Sequence, residues 1–474
     1  MHDLTAQRPR FFDPRALRVP GRLHEPACFV VVAAVYLLYF SVWGDDRLYG
    51  DAASYWELGA THGRDGGFSW FPLPDRIRGY AFPLYCYGLQ VVASTIGISE
   101  PSIIKLSGAV LVSTLGVVVV PRLARLVFPS LVVSWTRIAA LNALIFLFWR
   151  GHLNYPLTDF PAVLLSALGV LALFRARPAW FAAGLCFGLA ANLRPACAPV
   201  IAGATVAALV IGAGPKLRVR PLAAALVLQG ALIATLPQIA INVRYYDRWS
   251  PSGPAAGQVM REIVLTYGLR AQKHETYVGR ADGYPSTDVT YVSPLTADPL
   301  EREEPDGIDG YREYARFGFD HPIEFVGNLG LHVFNGIDVQ YATPYIKDLR
   351  DRSILLALLQ YTILFVALTR LVLRRPRSRL GDINWIGLTL ILLLCVAAVP
   401  SAMEPRYFLT LHLLAYSLVC FGPAHRRMLL TGDRRQRITL GAAYAASMLA
   451  CLALSSAARG QLEHPLTLSQ GLFL

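Results

Sequence analysis

The chain has 474 residues, 54% of them apolar and 16% charged, with a mean hydropathy of +0.42. That balance excludes a soluble globular protein of this length and points to a polytopic helical membrane protein. The formal charge of +12 arises from 44 basic and 32 acidic residues. The basic ones sit in short segments between apolar runs, where they set topology, so nucleic-acid binding is excluded as their purpose.

Backbone groups in hydrocarbon must be paired within their own segment, so the apolar runs read as helices. The weak alternation of barrel strands is absent. Residues 1–27 carry Arg8, Arg10, Arg15, Arg18 and Arg22 and no small-residue cleavage site, which describes a cytoplasmic leader and not a secretory signal. Spans are expected at about 28–43, 103–121, 131–149, 159–174, 179–193, 196–212, 222–242, 353–371, 384–400, 406–422 and 438–456. With the N-terminus inside, Arg122/Arg125, Arg175/Arg177, Lys216/Arg218/Arg220, Arg370 to Arg379 and His425 to Arg437 all fall in the cytoplasm. Tyr80 to Ile98 is also apolar, but a crossing there would move every later basic cluster outside. It is therefore expected to return to its own side as an interfacial or re-entrant helix, and Gly79, Pro83 and Gly88 suit a broken or interfacial helix better than a straight one.

The expected fold is an all-α polytopic membrane protein of about 11 transmembrane helices, with an interfacial helix in the first outer loop and a mixed extracytoplasmic cap. The expected organisation is an N-terminal transmembrane module over 28–242 containing the outer loop 44–98, a cap over 243–352, C-terminal helices over 353–456 and an extracytoplasmic tail over 457–474. Between Val243 and Arg350 lie 16 of the 32 acidic residues, 11 basic ones and ten tyrosines, too much charge for lipid and too many aromatics for a disordered tether. Asp282-Gly283 and Pro305-Asp306-Gly307 mark turns in it. The seven cysteines form no CxxC or metal-spaced set, no repeat of fixed period occurs, and no Walker-type loop supports ATP-driven transport.

Several polar groups stand at the outer ends of these spans. Asp51 opens a short helix whose face also carries Ser54, Tyr55 and Leu58. His152 and Asp159 lie where the third span surfaces and the fourth begins; Asp159 serves either as an acidic helix N-terminus or, with Asp51, as half of a site in which one carboxylate is a general base and the other holds a divalent cation such as Mg or Mn. Arg194 sits between two apolar segments with almost no loop, and either snorkels to headgroups or faces a cavity. In the turn Ser401 to Tyr407, Arg406 either pairs with Glu404 or grips a phosphate. His62, His152 and His321 read as surface hydrogen-bonders before metal ligands. Two arginines for a phosphate, two acids and aromatics for sugar faces, all outside, point to transfer of a sugar from a polyprenyl phosphate, because no cytoplasmic loop is large enough for a nucleotide-binding domain.

The order of five motifs resembles the polytopic GT-C glycosyltransferases, particularly bacterial relatives of the protein mannosyltransferases and lipid A aminoarabinose transferases (glycosyltransferase family 39-like). The motifs are Gly50-Asp51-Ala52-Ala53-Ser54-Tyr55, Arg78-Gly79-Tyr80-Ala81-Phe82-Pro83-Leu84, Leu157-Thr158-Asp159-Phe160-Pro161-Ala162, the stretch Gly184 to Pro195 ending in Asn192-Leu193-Arg194-Pro195, and Pro405-Arg406-Tyr407-Phe408-Leu409. The resemblance implies Asp51 as the catalytic base, Asp159 as a second acid near a metal or the donor phosphate, and Arg194 and Arg406 as phosphate-side groups. Arg78, His152, Tyr55, Glu404 and Tyr407 complete the expected substrate contacts. Some relatives carry an Asp-Glu pair in the first loop; here Ala52 follows Asp51, which leaves the acceptor open among glycan, lipid and protein. The family usually inverts the anomeric centre. The expected protein is thus an inner-membrane transferase with its site on the extracytoplasmic side. A glycan polymerase or ligase using diphosphate-linked lipids is the rival enzyme class, and a lipid-linked sugar flippase, which would show paired inverted halves, ranks last.

Overall fold

The computed structural model describes residues 24–71, 77–175, 177–210, 220–279, 287–372, 385–422 and 434–463. Most of the leader, Lys216 and Arg218, the run from Arg374 to Arg379, His425 to Arg427, Asp282-Gly283 and the tail from residue 464 lie outside the described residues.

The described chain is mainly helical. It runs α1 (His24–Trp43), α2 (Gly50–Ala60), α3 (Ala81–Ile96), α4 (Glu100–Ser113), a π-helical turn (Thr114–Val119) leading into α5 (Val120–Val127), α6 (Trp135–Trp149), α7 (Asp159–Leu173), α8 (Trp180–Leu193), α9 (Ala198–Val210) and α10 (Pro221–Tyr246). After the segment that follows α10 come α16 (Ile354–Val372), α17 (Trp385–Val396), α18 (Leu409–Phe421) and α19 (Arg434–Gly460). Helices lie at every segment read as a span, and five are long and apolar enough to cross a membrane: Glu25–Trp43, Glu100–Val127, Pro221–Tyr246, Ile354–Val372 and Arg434–Gly460. The architecture is that of an all-α membrane protein.

Three boundaries differ from expectation. The span expected to end at 121 continues to Val127 through the π turn, so Arg122 and Arg125 lie within the helical run. The expected spans 384–400 and 406–422 are shorter helices, with the 3₁₀ turn Pro405–Phe408 before α18. Helix α3 is continuous and not broken. Pro83 occupies its first turn, where a missing N–H has no intrahelical partner to lose, and Gly97 closes it in the left-handed region at φ 70°.

Close helix packing explains the glycines of α8. A Cβ on Gly184 would collide with the backbone at Val227 on α10, so these two helices approach backbone to backbone. Aromatic and aliphatic side chains fill the other seams, and Phe148, Trp149, Phe160, Leu413 and Tyr416 belong to one buried cluster joining α6, α7 and α18.

The helix ends sort into two groups. At one, Glu25 pairs with Arg122 at 2.8 Å, while Arg370 and Arg137 donate to the terminal carbonyls of α18, Arg370 to Leu418 and Val419 and Arg137 to Phe421. Those carbonyls form the negative end of the helix, which basic groups complement. At the other, Lys105 reaches Asp46 at 2.5 Å, Trp56 donates to Glu100 at 2.7 Å, and Asn154 donates to the Asp45 carbonyl at 2.7 Å. Helix α3 starts and finishes among these second-group contacts, packed on α2 and α8, so it does not traverse the bundle.

The segment between α10 and α16 folds as a mixed unit over that second end. It contains α11 (Ala256–Val259), a π-helical stretch, α12 (Tyr267–Arg270), β1 (Ala271–Tyr277), β2 (Thr287–Val292), α13 (Ala297–Glu303), α14 (Tyr311–Asp320), α15 (Pro322–Ile337) and β3 (Tyr345–Ile346). The sheet order is β2-β1-β3, with β1 antiparallel to β2 and parallel to β3. Gly307 turns at φ 86° in the expected Pro305-Asp306-Gly307 corner. An isolated parallel bridge between Lys273 and Met403 fastens β1 to the turn before α18.

Candidate active site

The site is built from five separate pieces of chain at the capped end. Asp51 occupies the first turn of α2, and the backbone N–H of Ala52 donates to the Tyr345 hydroxyl at 3.1 Å, tying this turn to the cap. The Asp51 carboxylate is 47% exposed and meets the Arg78 guanidinium at 2.7 Å. The residues after Arg78 are anchored in turn. The Tyr80 N–H donates to Gln238 Oε1 at 2.9 Å, the Tyr80 hydroxyl to the Ala234 carbonyl at 2.8 Å, and the Ala81 N–H to Asn192 Oδ1 at 2.9 Å. Gly79 touches Asn192 so closely that a Cβ would stand 2.6 Å from its Oδ1.

Asp159 is the first residue of α7, where the positive helix end favours a carboxylate, and its side chain is 4% exposed. Arg194 leaves α8 in an extended conformation, pairs with Asp159 and lies over the Tyr407 ring at 4.5 Å. Arg406, in the 3₁₀ turn before α18, stands at the centre. It is 2.7 Å from Glu404, 3.5 Å from Asp159 and 3.9 Å from Asp51. Thus Asp51, Asp159, Arg194, Arg406, Arg78, Glu404 and Tyr407 share one network, with Asp51 at its open edge and Asp159 at its floor. Tyr55 joins it under Arg78, 5.2 Å from ring centre to guanidinium; burial, then the Asp51 charge, push its phenol up to about 12.

The cap completes the network with two residues that have no sequence neighbours in it. His274 on β1 contacts Glu404 through Nδ1 at 3.2 Å and Asp288 on β2 through Nε2 at 3.1 Å. Burial opposes its protonation, but the two carboxylates outweigh burial and raise it well above the ordinary histidine value. Burial likewise raises Glu404, and Arg406 and His274 overcome it to hold the carboxyl well below its ordinary value; the Tyr407 hydroxyl also donates to it at 2.9 Å. His152 is different. Burial pulls it down to about 4, so it is neutral, packed edge-on against Trp149.

Two histidines therefore depart from the expected surface role: His62 and His152 are buried, the former beside Phe68 with its Nδ1–H donating to the Ser69 carbonyl. His321 bonds Glu303 at 2.8 Å, away from the site. No linear spacing marks His274 and Asp288, because the β1–β2 pairing brings Asp288 to His274 and the Lys273–Met403 bridge brings His274 to Glu404. Asn192, which helps anchor the Arg78 turn, is the lone amide of an apolar helix, and that isolation was a readable sign; Gln238 shares α10 with Gln229 and Asn242 and donates to Asn242.

Both Asp159 oxygens face guanidinium groups, and among the described residues no three His, Cys, Asp or Glu side chains gather as ligands. The guanidinium groups suit an anion. Arg78, Arg194, Arg406 and protonated His274 are balanced by Asp51, Asp159, Glu404 and Asp288, so an entering phosphate must displace carboxylates from arginines. Displacement at Asp51 would release the most exposed of these carboxylates. Beneath the network, an apolar cavity of about 30 Å³ is bounded by Ser166, Ala167 and Val170 on α7 and by Leu413, Leu414 and Ser417 on α18, the helices whose starts carry Asp159 and Arg406. Ser166 is seven residues along α7 from Asp159, about 10 Å of helix rise. No family model, curated protein or solved structure matches the chain.

Proposed function

We propose that this chain is a membrane glycosyltransferase that moves a sugar from a polyprenyl phosphate to a hydroxyl acceptor on the extracytoplasmic side. The observation that carries the reading is the position of Arg406 between Asp51, Asp159 and Glu404, with Arg194 on the same Asp159. Guanidinium forks suit a phosphate and the exposed Asp51 suits a base, while a prenyl tail entering between α7 and α18 would have to widen the apolar cavity there, whose volume of about 30 Å³ holds only water-sized groups. The far end of the bundle carries Arg122, Arg137 and Arg370, which supports a cytoplasmic assignment for that end under the positive-inside rule.

In this mechanism Arg194 and Arg406 take the donor phosphate, and Asp51 accepts the proton of the attacking hydroxyl. The acceptor oxygen bonds to the anomeric carbon as the carbon–oxygen bond to phosphate breaks. The electron pair leaves on the phosphate oxygen, whose charge the arginines neutralise. Direct attack inverts the anomeric centre. The test is transfer from a radiolabelled polyprenyl-phosphate sugar by the purified full chain. Asp51→Asn should lower transfer about 10²- to 10⁴-fold with an unchanged melting temperature. Equal transfer by variant and parent would remove Asp51 as the base; transfer only from diphosphate-linked oligosaccharides would replace this reaction with polymerisation.

A further inference from the structure

A second polar cavity lies between the cap and the ends of α16 and α19, walled by Lys273, Tyr291, Asp338, Tyr341, Arg352 and Arg459. Its acids are already engaged. Lys273 is 2.9 Å from Glu275 and 3.6 Å from Asp338, and Asp338 also accepts from Tyr361 at 2.5 Å, Gln340 at 2.7 Å and Ser455 at 3.2 Å. Its guanidinium groups are not. Among the described residues neither Arg352 nor Arg459 has a carboxylate within ion-pair distance. Two arginines that share a cavity without counter-charges leave it positive, which is the condition for an anion site.

Their places in the fold say where that anion resides. Arg352 stands two residues before α16, and Arg459 is the penultimate residue of α19. Both helices are of membrane-crossing length and composition, and they pack side by side through Thr362 and Tyr444, whose hydroxyls lie 2.9 Å apart. The cavity therefore sits at the level where an apolar span meets water, the level of lipid headgroups. We propose that Arg352 and Arg459 bind the phosphate of a lipid headgroup at this cavity. The site is independent of the transferase reading, yet it adjoins the candidate active site, because Gln340 and Tyr341 also wall the cavity that contains His274, Glu404 and Arg406.

The test uses the purified full chain in neutral detergent, titrated with phosphatidic acid, phosphatidylcholine or inorganic phosphate and read by native mass spectrometry. The parent should retain phosphatidic acid over phosphatidylcholine. Replacing both arginines (Arg352→Ala with Arg459→Ala) should lower that preference about 30-fold, whereas Arg352→Lys with Arg459→Lys should keep most of it. Arg459→Gln alone, at the exposed rim, gives a smaller loss should the double variant fail to fold. An unchanged preference in a folded alanine or glutamine variant would overturn the proposal. Displacement of the lipid by equimolar inorganic phosphate would assign the cavity to a free anion and overturn the lipid assignment.

Discussion

Arg406 reaches the carboxylate of Asp159 at 3.5 Å across 247 residues of chain, and it contacts Asp51, Asp159 and Glu404 together. Its removal leaves Glu404 at 7% exposure and Asp159 at 4% short of a counter-charge. Unpairing a buried charge costs about 3–5 kcal/mol, so Arg406→Ala should lower the melting temperature as well as abolish transfer. Adding Glu404→Gln should restore part of the stability but not the transfer. A thermal melt unchanged by Arg406→Ala would show that the three contacts do not hold the site together.

The clasp between cap and turn carries its own pH dependence. His274 is raised in the folded chain, so its contribution is complete below the unfolded value of about 6.5 and is lost as pH rises through the elevated folded value. Glu404 is depressed, so its contribution is present above 4.5 and is lost as pH falls toward its folded value. Melting temperature against pH should therefore decline on both sides, and His274→Gln should flatten the alkaline limb while the acid limb persists. An alkaline limb of unchanged size in that variant would mean the histidine is not charged in the fold.

The helices were readable because apolar runs long enough for hydrocarbon have one way to satisfy their backbones, and Asp51, Asp159, Arg194 and Arg406 were readable as charges at the ends of such runs. What those charges touch was only half readable. Glu404 and Arg406 are two residues apart, and their pairing is local; the link from Glu404 to His274 depends on the parallel bridge between Lys273 and Met403, which no linear pattern encodes. The buried state of His152 follows from Gly151 bonding the Ala342 carbonyl at 2.9 Å, a contact that lays the cap linker over a loop read as exposed.

Gly79 positions Arg78 by what it lacks. A Cβ there meets Asn192 on α8, the residue that also accepts from the Ala81 N–H. Gly79→Ala should destabilise the chain by about 1–3 kcal/mol through overpacking and reduce transfer by shifting Arg78 from Asp51. The nearest atom to that Cβ is the Asn192 carbonyl oxygen, followed by Oδ1 at 2.6 Å, so Asn192→Ala in the same chain should relieve only the side-chain part of the clash and the two losses should combine to somewhat less than their sum in a double-mutant cycle. Strict additivity, measured by thermal melts and initial rates, would sever this connection.

The apolar cavity below Asp159 gives a discriminating variant, because its wall is distinct from the charged network. Ala167 lines it from α7, one residue beyond Ser166, and is 5% exposed. A larger side chain there narrows the space between α7 and α18 without touching Arg194 or Arg406. If a prenyl tail occupies that space, Ala167→Leu should weaken use of a long-chain polyprenyl donor about tenfold, the scale of a modest overpacking penalty, while a donor with one or two isoprene units is used as before. The comparison isolates the tail from the phosphate, since both donors present the same phosphate to the same arginines. Equal losses for short and long donors would place the tail elsewhere, against the outer faces of the helices, and leave the cavity a packing defect of the bundle.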